Sequence, residues 1–179
     1  WFSEQESHLW IPKIKNIGAI YECPKVIKDR LFRFHLVDNV RGQTLPFASE
    51  EIKEANLKVE LVDIKESNLE LKIFGNSKAI AKGKWKLGEN IWTPTHELDH
   101  SISTEILGNA IYDTKKKSFT KFELVIIGNW KGKTENNGRK FGPESGILGI
   151  QYNLADKSSS DKIAPTFIDL YNAEWVQHP

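Results

Sequence analysis

Period-two alternation constrains this chain more than any other feature, and it is strongest from Ile102 to Trp130. That stretch, ISTEILGNAIYDTKKKSFTKFELVIIGNW, holds two runs rich in β-branched and aromatic residues around a polar Asp-Thr-Lys-Lys-Lys turn. Side chains alternate across a strand, so the pattern predicts a long antiparallel hairpin. Phe122, Leu124, Ile126 and Trp130 share one face, and Ile102, Ile106, Ala110 and Tyr112 share one on the partner run. Pairing even positions with even positions calls for an odd loop, either Thr114–Lys116 or Asp113–Lys117. Leu107, Ile111, Val125 and Ile127 fall on the other side. Both faces are therefore expected to be partly covered, as in a sandwich or closed barrel.

The same alternation recurs elsewhere. Leu57, Val59 and Leu61, then Leu69, Leu71 and Ile73, again predict a hairpin, pairing odd with odd across an odd loop such as Glu66–Asn68. Phe32, Phe34 and Leu36 alternate with Arg33, His35 and Val37 and read as a half-buried strand, although spacings of three and four also fit in part. Ile17–Tyr21 and the run carrying Leu148, Ile150, Tyr152 and Leu154 complete the strand set. Lys78, Lys82, Lys84 and Lys86 line one side of a further run, which reads as a solvated face or a protected edge. Pro24 suits the first turn of a short helix bearing Val26, Ile27 and Leu31, and Ser49-Glu50-Glu51 suits a helical turn with a serine N-cap. The N-terminal fifteen residues are expected to dock as an edge strand or to fray.

The expectation is an all-β domain over residues 1–155: a single antiparallel β-sandwich or barrel of about eight strands with meander hairpins and one or two short helices. Residues 156–179 read as a linker and a C-terminal appendage packing on the domain. Phe167, Leu170, Tyr171 and Trp175 have helical spacing there.

Charge and composition exclude several classes. Lys+Arg 25 against Asp+Glu 24 gives a net charge of +1, which supplies no general attraction to nucleic acid. No apolar run reaches the length of a membrane span. Cys23 is the only cysteine, so no intrachain disulfide can form, and its apolar setting reads as a buried small hydrophobe. The chain starts at Trp1 and contains no Met, which reads as a trimmed or processed product; localisation leans periplasmic or secreted.

Chemistry is sparse. His96-Glu97-Leu98-Asp99-His100 satisfies H-E-x-x-H, which on a helix places two imidazoles one turn apart on one face to share zinc, with the glutamate acting on metal-bound water. Pro94 just before it, Asp99 within it and the missing apolar stripe argue against a zinc protease. A milder site remains, in which His96, His100, Glu97 and His35 hold Zn or Cu without hydrolysis. His35 beside Asp38 lacks a nucleophile for acid–base work, Ser145 lies outside a nucleophile elbow, and no phosphate-binding glycine loop is present. Trp92 and Trp130 border the segments 88–101 and 131–146 and are candidates for an aromatic rim that takes a glycan or another small ligand.

Three stretches, YECPKVIKDRLFRFHLVDNVRG (21–42), EILGNAIYDTKKKSFTKFELVIIGNWKG (105–132) and GPESGILGIQYNLA (142–155), together resemble a β-rich domain of uncharacterised proteins from planctomycete-like and related environmental bacteria. The resemblance implies a bacterial origin and an intact β domain, and it carries no activity or cofactor. The leading reading is a non-catalytic binding or interaction module of an exported bacterial protein, with an unknown ligand or protein partner. The alternative is a Zn- or Cu-binding protein using His96 and His100.

Overall fold

A computed structural model describes residues 4–13, 16–42, 44, 46–82, 98–133, 142–156, 158–159 and 161. The fold is all-β: among the described residues six antiparallel strands form one sheet, each hydrogen-bonded to the next in chain order. They are β1 (Ile20–Glu22), β2 (Ile52–Lys65), β3 (Asn68–Ala81), β4 (His100–Asp113), β5 (Ser118–Gly132) and β6 (Ser145–Asn153). Meander hairpins and short helices are present as expected. The layer over the sheet is helical among the described residues, rather than a second sheet.

That layer corrects one expectation. Phe32–Val37 is not a strand: α1 (Glu4–His8) is followed, after β1, by α2 (Lys25–Asp29), which runs into a π-helical turn, Arg30–His35. Leu36 N donates to Leu31 O at 3.0 Å, five residues back. In this wide turn residues five apart stack, so Ile27 with Phe32 and Leu31 with Leu36 make one buried stripe. The alternating pattern was real but short, and the four- and five-residue spacings won once there was a sheet face to cover. Pro24 stands at the N-cap of α2, where its missing N–H costs nothing. The N-terminus also departs from an edge strand. Trp10 follows α1, is 2% exposed and meets Phe122 edge-on at 5.4 Å.

Register follows the alternation, with one device that parity arguments overlooked. Ile102, Ile106 and Ala110 pair with Trp130, Ile126 and Phe122, even with even. The loop, however, is the four-residue Thr114–Lys117, and a bulge beside Ile111 and Tyr112 supplies the odd residue. Leu57, Val59 and Leu61 pair with Gly75, Ile73 and Leu71, odd with odd, across the two-residue loop Glu66-Ser67 and a bulge between Leu61 and Asp63. Each loop is even, and each bulge restores the facing that burial demands. Glu66 (φ 53°) and Lys117 (φ 54°) make the left-handed bends. The Asp113 carboxylate accepts from Lys115 N (2.8 Å) and Lys116 N (3.1 Å), which holds its pKa down. The short helical turn Ser49–Glu51 is capped by Ala48 rather than Ser49, with Ala48 N donating to the Glu51 carboxylate at 2.7 Å.

One face of the sheet carries the core. Leu57, Val59, Leu61, Leu71, Ile73, Leu124 and Ile126 pack under Ile27, Leu31, Phe32, Leu36 and Trp10. Cys23 joins them, and burial pushes its thiol up to about 12, so it acts as the expected small hydrophobe. A second cluster of Val37, Phe47, Ala79, Ile102, Trp130 and Leu148 fills the other end of that face. In the row between them the Ser77 and Thr104 hydroxyls hydrogen bond at 2.6 Å, satisfying each other away from water. Gly108 makes the crowding on this face possible, because a Cβ there would lie 2.3 Å from Glu123 O. The lysine row sits differently from a protected edge. Its strand, β3, lies inside the sheet, Lys78 precedes buried Ala79, and Lys84 and Lys86 lie outside the described residues.

Candidate binding surface

The residues singled out by sequence end up in different places. His96, Glu97 and Trp92 lie outside the described residues, as does the spacing from Phe167 to Trp175. His100 opens β4, in a strand and not a helix, and its ring lies 5.4 Å from Phe47 at a 31° tilt. Phe47 is fixed by two bonds to Arg33: its N–H donates to Arg33 O (3.0 Å), and Arg33 Nε donates back to Phe47 O (2.9 Å). Burial lowers the His100 pKa, while a backbone hydrogen bond at Leu98 and the charges of Asp99 and Asp38 oppose that. The ring is therefore neutral at pH 7, and its buried Nδ1 has no hydrogen-bond partner among the described residues.

Asp38, itself buried, lies in the segment beside this ring. Its backbone carbonyl accepts from the Thr44 hydroxyl at 2.7 Å, and Thr44 N donates to the Asn39 side chain at 2.8 Å. A cleft of about 420 Å³ opens next to His100 between Asp99, Lys131, Lys133 and Glu144. His35 belongs to a separate contact. Its ring meets Tyr152 edge-on at 6.4 Å, and its carbonyl accepts the Tyr152 hydroxyl at 3.1 Å. Burial drives the His35 pKa down to about 3, with the Arg30 charge adding to the effect. Among the described residues no three His, Cys, Asp or Glu side chains gather as metal ligands would.

Trp130 is a core side chain, 5% exposed, and not a rim aromatic. It falls on the face of β5 that carries Leu124 and Ile126, and Gly146 on β6 leaves room for its indole, 2.9 Å from where a Cβ would stand. The alternation that placed it beside those residues already pointed inward.

What sequence reasoning missed is the opposite face. The side expected to be partly covered is open among the described residues: Leu107 is 57% exposed, Val125 50%, Ile127 53% and Ile147 74%. Leu107 faces Val125 across β4 and β5 and Phe74 across β3 and β4. Ile127 lies two residues along β5 from Val125, opposite Gly149, and Ile147 comes next on β6, opposite Asn129. Strands stand about 4.8 Å apart and rise about 3.3 Å per residue, so these four form a diagonal band about 10 Å across and 13 Å long, with Glu105 opposite Ile127 and Gln151 opposite Val125. Polar side chains edge it. Gln151 Nε2 donates to the Glu123 carboxylate at 3.3 Å, and Lys72 stands over the Phe74 ring at 5.8 Å. An apolar band interleaved with polar side chains is a build that interaction surfaces share. The signal was legible as Leu107, Val125 and Ile127 in phase on facing runs; read as a second buried face, it implied a sandwich.

Compared with protein-family models, curated proteins and solved structures, the chain matches none.

Proposed function

We propose that this chain is a non-catalytic binding module whose contact surface is the open face of β4, β5 and β6. The observation that supports it is the field of Leu107, Val125, Ile127 and Ile147 standing in solvent on adjacent strands. Burying such a side chain from full exposure is worth about 1.5–3 kcal/mol, and half to three-quarters of each is still exposed, so covering it gains about 1–2 kcal/mol. The strands are paired along their length, so the surface is formed before its partner arrives. Aliphatic side chains with no exposed tryptophan among the described residues suit a partner's apolar ridge better than a sugar ring, which shifts the ligand class from glycan towards an amphipathic peptide segment. The test is titration with bis-ANS, a fluorescent apolar anion. Wild type should enhance its emission, and the double variant Leu107→Glu/Ile127→Glu should weaken its apparent affinity at least fivefold. Equal response from both proteins would end this reading.

A second reading has one observation in its favour. The buried, unpartnered Nδ1 of His100, near Asp38, is a neutral lone pair of the kind Zn or Cu takes, and His96 is the second ligand that the sequence offers. Calorimetric titration of chelator-stripped protein with Zn²⁺ should then show one site that His100→Gln removes. Heat unchanged by that substitution would dismiss it.

A further inference from the structure

The two rims of the sheet are built differently. At one end β1 has three residues and carries Glu22, which the Lys28 ammonium meets at 2.8 Å. At the other end β6 has nine residues, with no charged side chain and no proline. Its pairing with β5 runs without the bulges found between β2 and β3 and between β4 and β5. Short length, charge, proline and bulges are the devices that keep a sheet edge from pairing with another chain, and β6 has none of them. We propose that β6 is the contact of a two-fold homodimer, pairing antiparallel with β6 of a second copy and joining the two sheets edge to edge. This goes beyond the open-face reading, because the surface is the rim of the sheet and not its face.

Backbone parity gives the register. Gly132 N donates to Glu144 O at one end of the β5–β6 ladder and Leu154 N donates to Phe122 O at the other, both at 2.8 Å. Bonded pairs alternate along an antiparallel ladder, so the even-numbered residues of β6 bond to β5. The N–H and C=O groups of Ser145, Ile147, Gly149, Gln151 and Asn153 therefore point away from β5. They have no hydrogen-bond partner among the described residues. A second β6 set antiparallel about Gly149 brings Asn153 opposite Ser145 and Gln151 opposite Ile147. That register completes about ten main-chain bonds, as many as a standard interface carries.

The side chains agree with it. On the core side Leu148 falls opposite Ile150 of the second copy, and Gly146 falls opposite its Tyr152, which leaves room for the ring. Ile150 and Tyr152 are only half-buried in the single chain, so each has apolar surface left to cover. With no charge in β6, no like charges meet across the axis. Gly149 sits on that axis, and nothing among the described residues lies within 4 Å of where its Cβ would stand, so a second backbone can approach. The two open aliphatic bands then lie on one side of a single continuous sheet.

Sedimentation velocity on the full chain from about 1 to about 500 micromolar tests this, a span that covers weak and standard interfaces. Wild type should pass from monomer to dimer mass across that range. Gly149→Lys should raise the dissociation constant at least about tenfold, because two ammonium groups then oppose each other on the axis, while its own chain has room for the side chain. Ile147→Pro removes an outward N–H without touching a bond to β5, and should weaken the dimer too. Amide exchange read by NMR adds the signature of parity. Amides of Ile147, Gly149 and Gln151 should gain protection as concentration rises, whereas those of Leu148, Ile150 and Tyr152 should be protected throughout. A wild-type chain that stays monomeric at the top of the range overturns the proposal. So does a dimer that both substitutions leave intact, since another surface would then hold it. Protection of Ile147 and Gly149 at every concentration overturns it as well, because the rim would then be covered within one chain. The bis-ANS titration reads the face and not the rim, so the open-face reading stands or falls separately.

Discussion

Ile126 and Ile127 are neighbours on β5 with the same side chain, yet the first is wholly buried and the second is 53% exposed. The two faces of the sheet differ in the same way along its length. Under α2 and its π-helical extension the rows are apolar, interrupted only by a hydroxyl pair that satisfies itself. On the other side, aliphatic residues stand among Lys72, Glu105 and Glu123 with nothing packed over them among the described residues. The faces differ in chemistry and in cover together, and cover is what turns an aliphatic row into a core rather than a contact surface.

Truncation on the covered face should be the most costly change. Ile126→Ala should destabilise the protein by about 2–5 kcal/mol, because the cavity it leaves lies between a rigid sheet and a helix. Urea unfolding measures this directly, and a loss below about 1 kcal/mol would mean that the helical layer packs loosely.

Acid should attack the same face next, through His35. Its ring is neutral in the fold down to a pKa of about 3, whereas in the unfolded chain it takes a proton below about 6.5. The unfolded state therefore binds more protons across that window, and stability falls as pH drops through it. Going from pH 7 to pH 5 should cost about 2 kcal/mol at about 1.4 kcal/mol per unit, and His35→Gln should flatten the dependence. An unfolding midpoint that is equal at the two pH values would show the ring already protonated in its pocket.

Smallest of all should be Ile127→Ala. With only partial cover to lose, it should shift stability by no more than about 0.5 kcal/mol while weakening bis-ANS binding. A loss near that of Ile126→Ala would show that the open face is, in solution, a second core.

Strand positions and facing were legible because period-two burial is a local signal: neighbours in sequence must point to opposite sides. Loop lengths were not. A bulge adds one residue to one strand without changing which side chains face inward, so alternation cannot tell an odd loop from an even loop with a bulge. The segment around His35 was misread for a related reason. Phe32, Phe34 and Leu36 satisfy a strand template over five residues, too few to outweigh the helical stripe that starts at Ile27. The site fared least well. His100 and Trp130 drew attention by residue type, yet both pack inside the second cluster or at its edge, and the exposed surface consists of Leu, Val and Ile, which sequence reads as core.

From the amino-acid sequence alone come the all-β character, the pairing parity of the two long hairpins and the inertness of Cys23; the expected count of about eight strands does not, since six form the sheet among the described residues. Each depends on interactions between residues close in sequence or directly opposed across one turn. Tertiary structure alone decided how completely each face is covered: the Phe122–Trp130 side of β5 is the more apolar and is met by residues 25–36 from elsewhere in the chain, while Val125 and Ile127, set among Lys121, Glu123 and Lys131, stay open among the described residues. Hydrophobic burial has no direction of its own; it goes to whichever surface finds a partner.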